Sequence, residues 1–386
     1  MGLKGTVLDM KAGILTFHYA HHYGAQLQAY ALMRAIAGLG VDCEIIDYVR
    51  KDTVEGSSLF KKGFSARALL SNANTLINYG GLKRRHARFG SFVRDNMRLS
   101  GKHYSSYDEL KADAPEYDVY VCGSDQIWNP MIFEEKTFDP AFFADFAKSG
   151  RRIAYAPSFG ISSIPGNLRD TLKEYLDKFD CLSAREKQGE DIIREVAGRE
   201  SATVLDPTLL PGKEEWAALA STPVFKEPYL LCYFITDGKK YGEAVRIFSG
   251  KYKLPVVSLC GSRRVVPSTR HKVMDAGPKE FLGLFANARA VCTDSFHGTV
   301  FSIIFEKPFV CFESRQKAEK AVNSRLYNIL GKLGLLSHIY SHTMNAMEFE
   351  KRVEEAGMPD YRQVAELLGD ERDKSFRYLE NALRGC

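Results

Sequence analysis

Short apolar runs alternate with stretches of helical periodicity along most of this chain, and that alternation constrains the fold more than any other feature. Strands that alternate with helices lie parallel, because each helical crossover carries the chain back to the end of the sheet where the previous strand began. The first half offers KAGILTF, DCEIIDY, YDVYVCG, RIAYAPS, FDCLSA and ATVLD as strands. AQLQAYALMRAIAGLG follows the first of them with helical spacing and stops at Gly38 and Gly40. A second series runs YLLCYFI, PVVSL, ARAVCT and PFVCF, separated by the helical segments GKKYGEAVRIFSGKY, PKEFLGLFANA and FHGTVFSIIFE. Between Asp206 and Tyr229, several prolines and a glycine mark a connection.

This pattern predicts an α/β protein with two Rossmann-like domains facing a cleft. The expected boundaries are 1–215 for the first domain, 225–345 for the second and 346–386 for terminal helices that return to the first. A chain of 386 residues is long enough for two cores. The arrangement resembles glycosyltransferase-B-like enzymes, in which ligands bind beside the carboxyl ends of the strands.

The eight cysteines are scattered, several inside apolar runs, and are expected to be reduced in a cytoplasmic protein. No apolar run approaches a membrane span. The net charge is +5, yet residues 50–102 hold twelve Lys/Arg against three acids. That asymmetry suits an anionic partner, such as a phosphorylated or lipid-linked acceptor or the inner face of a membrane, as well as a plain solvated face. Arg84, Arg85 and Arg88 come with no nucleic-acid module, so no nucleic-acid partner is expected. There is no Walker loop and no G-x-G-x-x-G.

Chemistry concentrates in CTDSFHGTVFSIIFEKPFV. A strand ends at Thr293 and a helix opens near Ser295, which places His297 in the first helical turn. Free N–H groups there favour an anion, and Gly298 would let a ligand approach the backbone. The positive helix end disfavours an imidazolium until an anionic substrate arrives, so His297 is a candidate general acid only with substrate bound. Arg185 follows the strand FDCLSA and could grip phosphate or carboxylate, or form an ordinary ion pair. Ser124 to Asn129 combine polar side chains with Trp128, which suits sugar hydroxyls and a ring face, or else a capped turn with Trp128 in the core. His18, His21 and His22 precede the first helix. No cysteine or carboxylate set completes a zinc site there, so no metal is expected, and Gly24 and Ala25 would leave room for a ligand. Asp206 is expected at the cleft edge or as a turn cap.

TDSFHGTVFSIIFEKPFV resembles the C-terminal motif of polysaccharide pyruvyl transferases, and GILTFHYAHHYGAQLQAYAL, VCGSDQIWN, YAPSFG and LSAREKQGEDI with VLDPTLL agree in order. The resemblance implies transfer of a carboxyethylidene group from phosphoenolpyruvate to two hydroxyls of a polysaccharide or glycan-precursor sugar, with no other cofactor. It makes His297 and Arg185 catalytic. From the residues themselves, the donor is expected against Ser295, Gly298, Arg315 and Arg325 of the second domain, and the acceptor against His18, His22, Gly24, Asp125, Gln126, Trp128, Asn129 and Ser158 of the first, although many relatives carry a glycine-rich run where this chain has Ser124 to Asn129. Many members carry an arginine two residues before the helix-opening histidine. Here that position is Ser295, which leaves Arg315, Lys317 or Arg325 to supply the charge. The competing readings are a glycosyltransferase using a nucleotide-sugar and a non-catalytic glycan-binding protein.

Overall fold

The computed structural model describes residues 10–51, 58–60, 63, 65–222, 225–259, 265–313, 320–341 and 343–385. The first half builds a parallel sheet from β1 (Lys11–Leu15), β2 (Asp42–Tyr48), β3 (Leu99–Tyr104), β4 (Val119–Cys122) and β5 (Arg151–Ala154) in the order β3-β2-β1-β4-β5. Ala154 N–H donates to the Cys181 carbonyl at 2.9 Å, which continues the layer toward the short parallel pair β6 (Ser183–Ala184) and β7 (Ala202–Thr203).

The second half builds a parallel sheet from β8 (Leu230–Tyr233), β9 (Val256–Leu259), β10 (Thr269–Val273), β11 (Ala290–Thr293), β12 (Phe309–Phe312) and β13 (Ile339–Tyr340) in the order β10-β9-β8-β11-β12-β13. VYVC of β4, LLCY of β8 and FVCF of β12 are buried along their whole length, as strands covered by helices on both faces must be. Each sheet reverses its winding direction beside its first strand, at β1/β4 and β8/β11. A switch point of that kind opens a crevice at the carboxyl ends of the strands. These are two Rossmann-like domains in the glycosyltransferase-B-like arrangement.

The domains meet over an aromatic contact. Tyr23 stacks on Phe281 with ring centroids 4.6 Å apart, and its hydroxyl donates to the Ala276 carbonyl at 3.0 Å. The helix Tyr79–Asn96 adds ion pairs across the same boundary, from Arg84 and Arg88 to Asp275 and from Arg88 to Glu280. The last helix, Tyr361–Arg384, starts against the second domain, where the Tyr361 hydroxyl donates to the Lys307 carbonyl. It ends on the first domain, where Tyr378 donates to the Ala154 carbonyl at 2.8 Å and Ser375 accepts from Leu205 N–H at 3.0 Å.

Two expectations change. Much of the positive charge of residues 50–102 is spent internally: Arg50 on Asp139 and Glu135, Arg84 and Arg88 on Asp275, Arg98 on Asp42 and Lys102 on Asp113. Apart from Asp113, these partners lie far away in sequence, so composition alone could not reveal the neutralisation. Cys43, Cys122, Cys232, Cys292 and Cys311 are buried free thiols, but Cys181 is disulfide-bonded, against the expectation of eight reduced cysteines. No helix among the described residues is long and apolar enough to cross a membrane.

Candidate active site

Two helices aim their N-termini into the crevice, one from each domain. Helix Tyr23–Gly38 is capped by His22, whose Nδ1 accepts from Ala25 N–H at 3.4 Å. Helix Phe296–Ile304 is capped by Ser295, whose hydroxyl accepts from Gly298 N–H at 3.2 Å. A Cβ on Gly24 would fall 2.0 Å from His297 Nδ1, so the imidazole of one domain lies directly on the backbone of the other domain's helix. His22 faces the same imidazole edge-on, with ring centroids 6.1 Å apart.

Asp206 anchors the floor. Its Oδ1 accepts from Thr208 N–H at 3.0 Å and from the Thr208 hydroxyl at 2.6 Å. Its Oδ2 accepts from Arg185 at 2.8 Å and from Ser124 at 3.2 Å, and lies 3.7 Å from His297 Nε2. Burial alone would raise this carboxyl, but His297, Arg185 and Thr208 together hold it well below the ordinary carboxylate range. At 3.7 Å the His297 contact is an ion-pair approach and not a hydrogen bond.

Arg185, 3% exposed, has two further carboxylates beside it: Glu186 at 3.7 Å and Asp125 at 4.0 Å. Burial would lower its pKa, and the three acids raise it instead. Arg325, from the helix Lys320–Lys332, approaches from the other domain. Its guanidinium lies 5.9 Å from the centre of the Phe296 ring and that of Arg185 lies 5.0 Å from it, so one aromatic ring carries two cations. Burial and the nearby Arg185 charge pull Arg325 down to about 10, which leaves it protonated at neutral pH. With its oxygen turned toward that group, Gln126 accepts from Arg325 at 3.2 and 3.3 Å. Among the described residues, Arg185 Nε and Nη2, Arg325 Nε and His297 Nε2 are buried without a hydrogen-bond partner. Carboxylates outnumber guanidinium groups here, so the pocket does not draw anions by net charge. What it offers is directed, buried N–H groups beside two helix N-termini, each costly to leave unsatisfied.

The structure therefore brings together His297, Arg185, Arg325, Asp125, Gln126, His22 and Gly24. It gives several other predicted site residues different work. Trp128 is fully buried, stacked on Phe143 at 5.2 Å with its Nε1–H donating to the Phe142 carbonyl at 3.1 Å, so it has no face for a sugar. His18 is 1% exposed, with Nε2 at 3.0 Å from Asp47 and Nδ1 at 3.2 Å from the Thr16 carbonyl, so it does not line the cleft as expected. Asn129 caps the turn Pro130–Ile132 through Met131 N–H, and Ser158 donates to Glu186 at 2.6 Å. Ser295 is a buried cap. The space at Gly298 is filled by Thr293 Oγ1, 2.3 Å from where its Cβ would stand, and not left for a ligand. The room at Gly24 is likewise taken by His297. Arg315 and Lys317 lie outside the described residues. Sequence reading gave Phe296 no role and Glu186 only that of an ion-pair partner for Arg185, and it placed Asp206 at the cleft edge or in a turn cap without linking it to Arg185 and His297; the strand-end position of all three was the available signal. No cluster of metal-ligating side chains occurs among the described residues.

The family model described as polysaccharide pyruvyl transferase matches residues 22–315, a span that includes both crevice helices, Arg185, Asp206 and His297. Comparison with curated proteins finds no significant match. Among solved structures, the chain is similar to a UDP-GlcNAc 2-epimerase from Methanocaldococcus jannaschii at 14% identity and a TM-score of 0.45, covering 91% of this chain and 93% of that one. It is similar to S. aureus MnaA in a co-structure with UDP, at 11% identity and 0.48 over 97% of each chain. It is also similar to AviGT4, a glycosyltransferase involved in avilamycin A biosynthesis, at 12% identity and 0.49 over 97% and 98%. These likenesses are distant, and the strand orders themselves carry the fold.

Proposed function

The chain belongs to the polysaccharide pyruvyl transferase family, and from that premise we propose that it transfers a carboxyethylidene group from phosphoenolpyruvate to two hydroxyls of a sugar in a glycan or glycan precursor. The observation that carries this reading is the pairing of Arg185 and Arg325 across Phe296, in the first turn of the helix that bears His297. A donor carrying both carboxylate and phosphate needs two directed cationic contacts, and planar guanidinium groups supply them with defined geometry.

In the proposed reaction His297 delivers a proton to the donor methylene while an acceptor hydroxyl adds to the adjacent carbon. The methylene becomes a methyl group. Phosphate then leaves and a second hydroxyl closes the ketal, so donor and diol give ketal and inorganic phosphate. Asp206 holds Arg185 and faces the imidazole nitrogen, which makes it a positioning residue for both. Arg325 takes the place of the arginine that the family pattern would put at Ser295. His297 is 4% exposed, so donor and acceptor enter when the domains part and the Tyr23–Phe281 contact opens.

Purified protein incubated with phosphoenolpyruvate and a panel of glycan precursors tests the reading. Acceptor-dependent phosphate release with a ketal product, lost in His297→Ala, is the expected result. Turnover of a nucleotide-sugar in place of phosphoenolpyruvate, or acceptor binding with no turnover at all, would replace it with one of the competing readings.

A further inference from the structure

The helix Ala66–Ile77 is built inside out. Ser65 caps it by accepting from Ala68 N–H at 3.2 Å, so it is a well-started helix. Its polar residue Thr75 is buried and donates to the Leu59 and Ser71 carbonyls at 3.2 and 3.0 Å. Its large apolar residues point outward: Leu69 is 55% exposed, Leu70 67%, Leu76 65% and Ile77 83%. These four positions repeat at a seven-residue interval with exposed Ala73 between them, so they form one continuous stripe. Phe60 and Tyr79, at 40% and 42%, extend it, with their rings 6.2 Å apart. A soluble protein gains nothing by showing a contiguous apolar stripe to water, and such stripes mark interaction surfaces.

The surrounding charge selects the partner. From residue 56 to residue 94 the sequence holds eight Lys/Arg and not one acid. Arg84, Arg85 and Arg88 are used at the domain boundary and Arg94 pairs with Asp95, whereas Lys83 stays exposed beside Tyr79, with its ammonium 6.0 Å from the ring centre. An apolar stripe with aromatic margins in an acid-free basic segment is the composition of a helix that lies in the interface of an anionic bilayer. A protein partner with an apolar groove would not by itself call for the absence of acids.

The element is also tied to the cleft. Helix Tyr79–Asn96 continues from it, with Arg85 donating to the His21 carbonyl at 3.4 Å and the His86 ring 4.1 Å from that of His21. His21 immediately precedes the cap of the helix on which His297 rests. We propose that Ala66–Ile77 docks the protein on an anionic membrane surface, so that the cleft receives an acceptor presented from that surface. The acceptor clause rests on the transferase reading above, whereas the docking does not.

Sedimentation of the full chain with vesicles tests the docking directly. Binding to phosphatidylglycerol-containing vesicles and little to pure phosphatidylcholine is expected. Lys83→Glu should weaken binding about fivefold or more, the effect of one basic residue at such a surface, and Leu70→Ser with Ile77→Ser should abolish it while circular dichroism stays native. Neither leucine nor isoleucine belongs to the active site, so phosphate release with a water-soluble acceptor should persist in that variant. Absence of vesicle binding by the unaltered chain would overturn the docking whatever the transferase assay gives. So would a dimer in sedimentation velocity that the double variant dissolves, with vesicle binding unaffected.

Discussion

His297 occupies the space that any side chain at residue 24 would need: a Cβ there would lie 2.0 Å from Nδ1 and 2.3 Å from Cε1 of the imidazole. Gly24 and His297 belong to different domains, so one glycine fixes how closely the two halves of the active site can meet. Gly24→Ala should push the ring out of register and lower kcat by about 100-fold, the usual consequence of misplacing a reacting group by an ångström. The melting temperature should fall as well, because overpacking this buried contact costs about 1–3 kcal/mol, more than the helix gains from an alanine in place of a glycine. Steady-state kinetics beside a thermal melt will check both.

Asp206 is buried against Arg185, Ser124, Thr208 and His297, and its carboxyl is held below the ordinary range. Asp206→Asn should destabilise the protein by about 3 kcal/mol at neutral pH, since it leaves a buried guanidinium short of its nearest partner. The sign follows from the depressed folded-state pKa. The contribution is complete above the unfolded value near 4 and fades as pH falls below it toward the folded value. Denaturant unfolding of both proteins from pH 7 downward should show a constant gap that narrows only below about pH 5.

His21 acts in the same direction as Asp206 but in a higher pH window. Burial, helped by His86 and Arg85, lowers it to about 4, so it folds as a neutral ring. The unfolded chain binds a proton near 6.5 that the folded chain refuses, and stability therefore falls as pH drops from about 6.5 to about 4. His21→Phe should remove part of that slope, which melting temperatures across the window will register.

Trp128 distinguishes a sugar platform from a core anchor. Since its ring is enclosed by Phe143, Phe159 and Phe179, Trp128→Ala should cost about 3–5 kcal/mol of stability. A selective rise in acceptor KM with stability intact would contradict its placement.

The strand-helix alternation was readable because buried parallel strands are nearly all apolar. LSGKHY of β3 was not, since a half-exposed edge strand has no apolar run to betray it. His297 and Arg185 could be picked out as strand-end residues in a parallel sheet. Their partnership through Asp206 could not, because it depends on how two domains close over one another. Trp128 was ambiguous for a local reason: its polar neighbours Asp125, Gln126 and Asn129 bond to one another and to the turn backbone, while the ring packs among Phe143, Phe159 and Phe179. How much of the basic run of 50–102 is paired was hidden for a similar reason, since Asp139 and Asp275 reach Arg50 and Arg84 from other parts of the chain while Lys83 stays exposed.

In the proposed function, Arg185 and Arg325 together hold an anionic three-carbon donor beside His297. Calorimetric titration of phosphoenolpyruvate into the unaltered protein and into Arg325→Gln measures this without any acceptor. Binding should weaken about 10- to 100-fold in the variant, the worth of a charge-assisted contact. No binding to the unaltered protein, or equal binding to both, would contradict it.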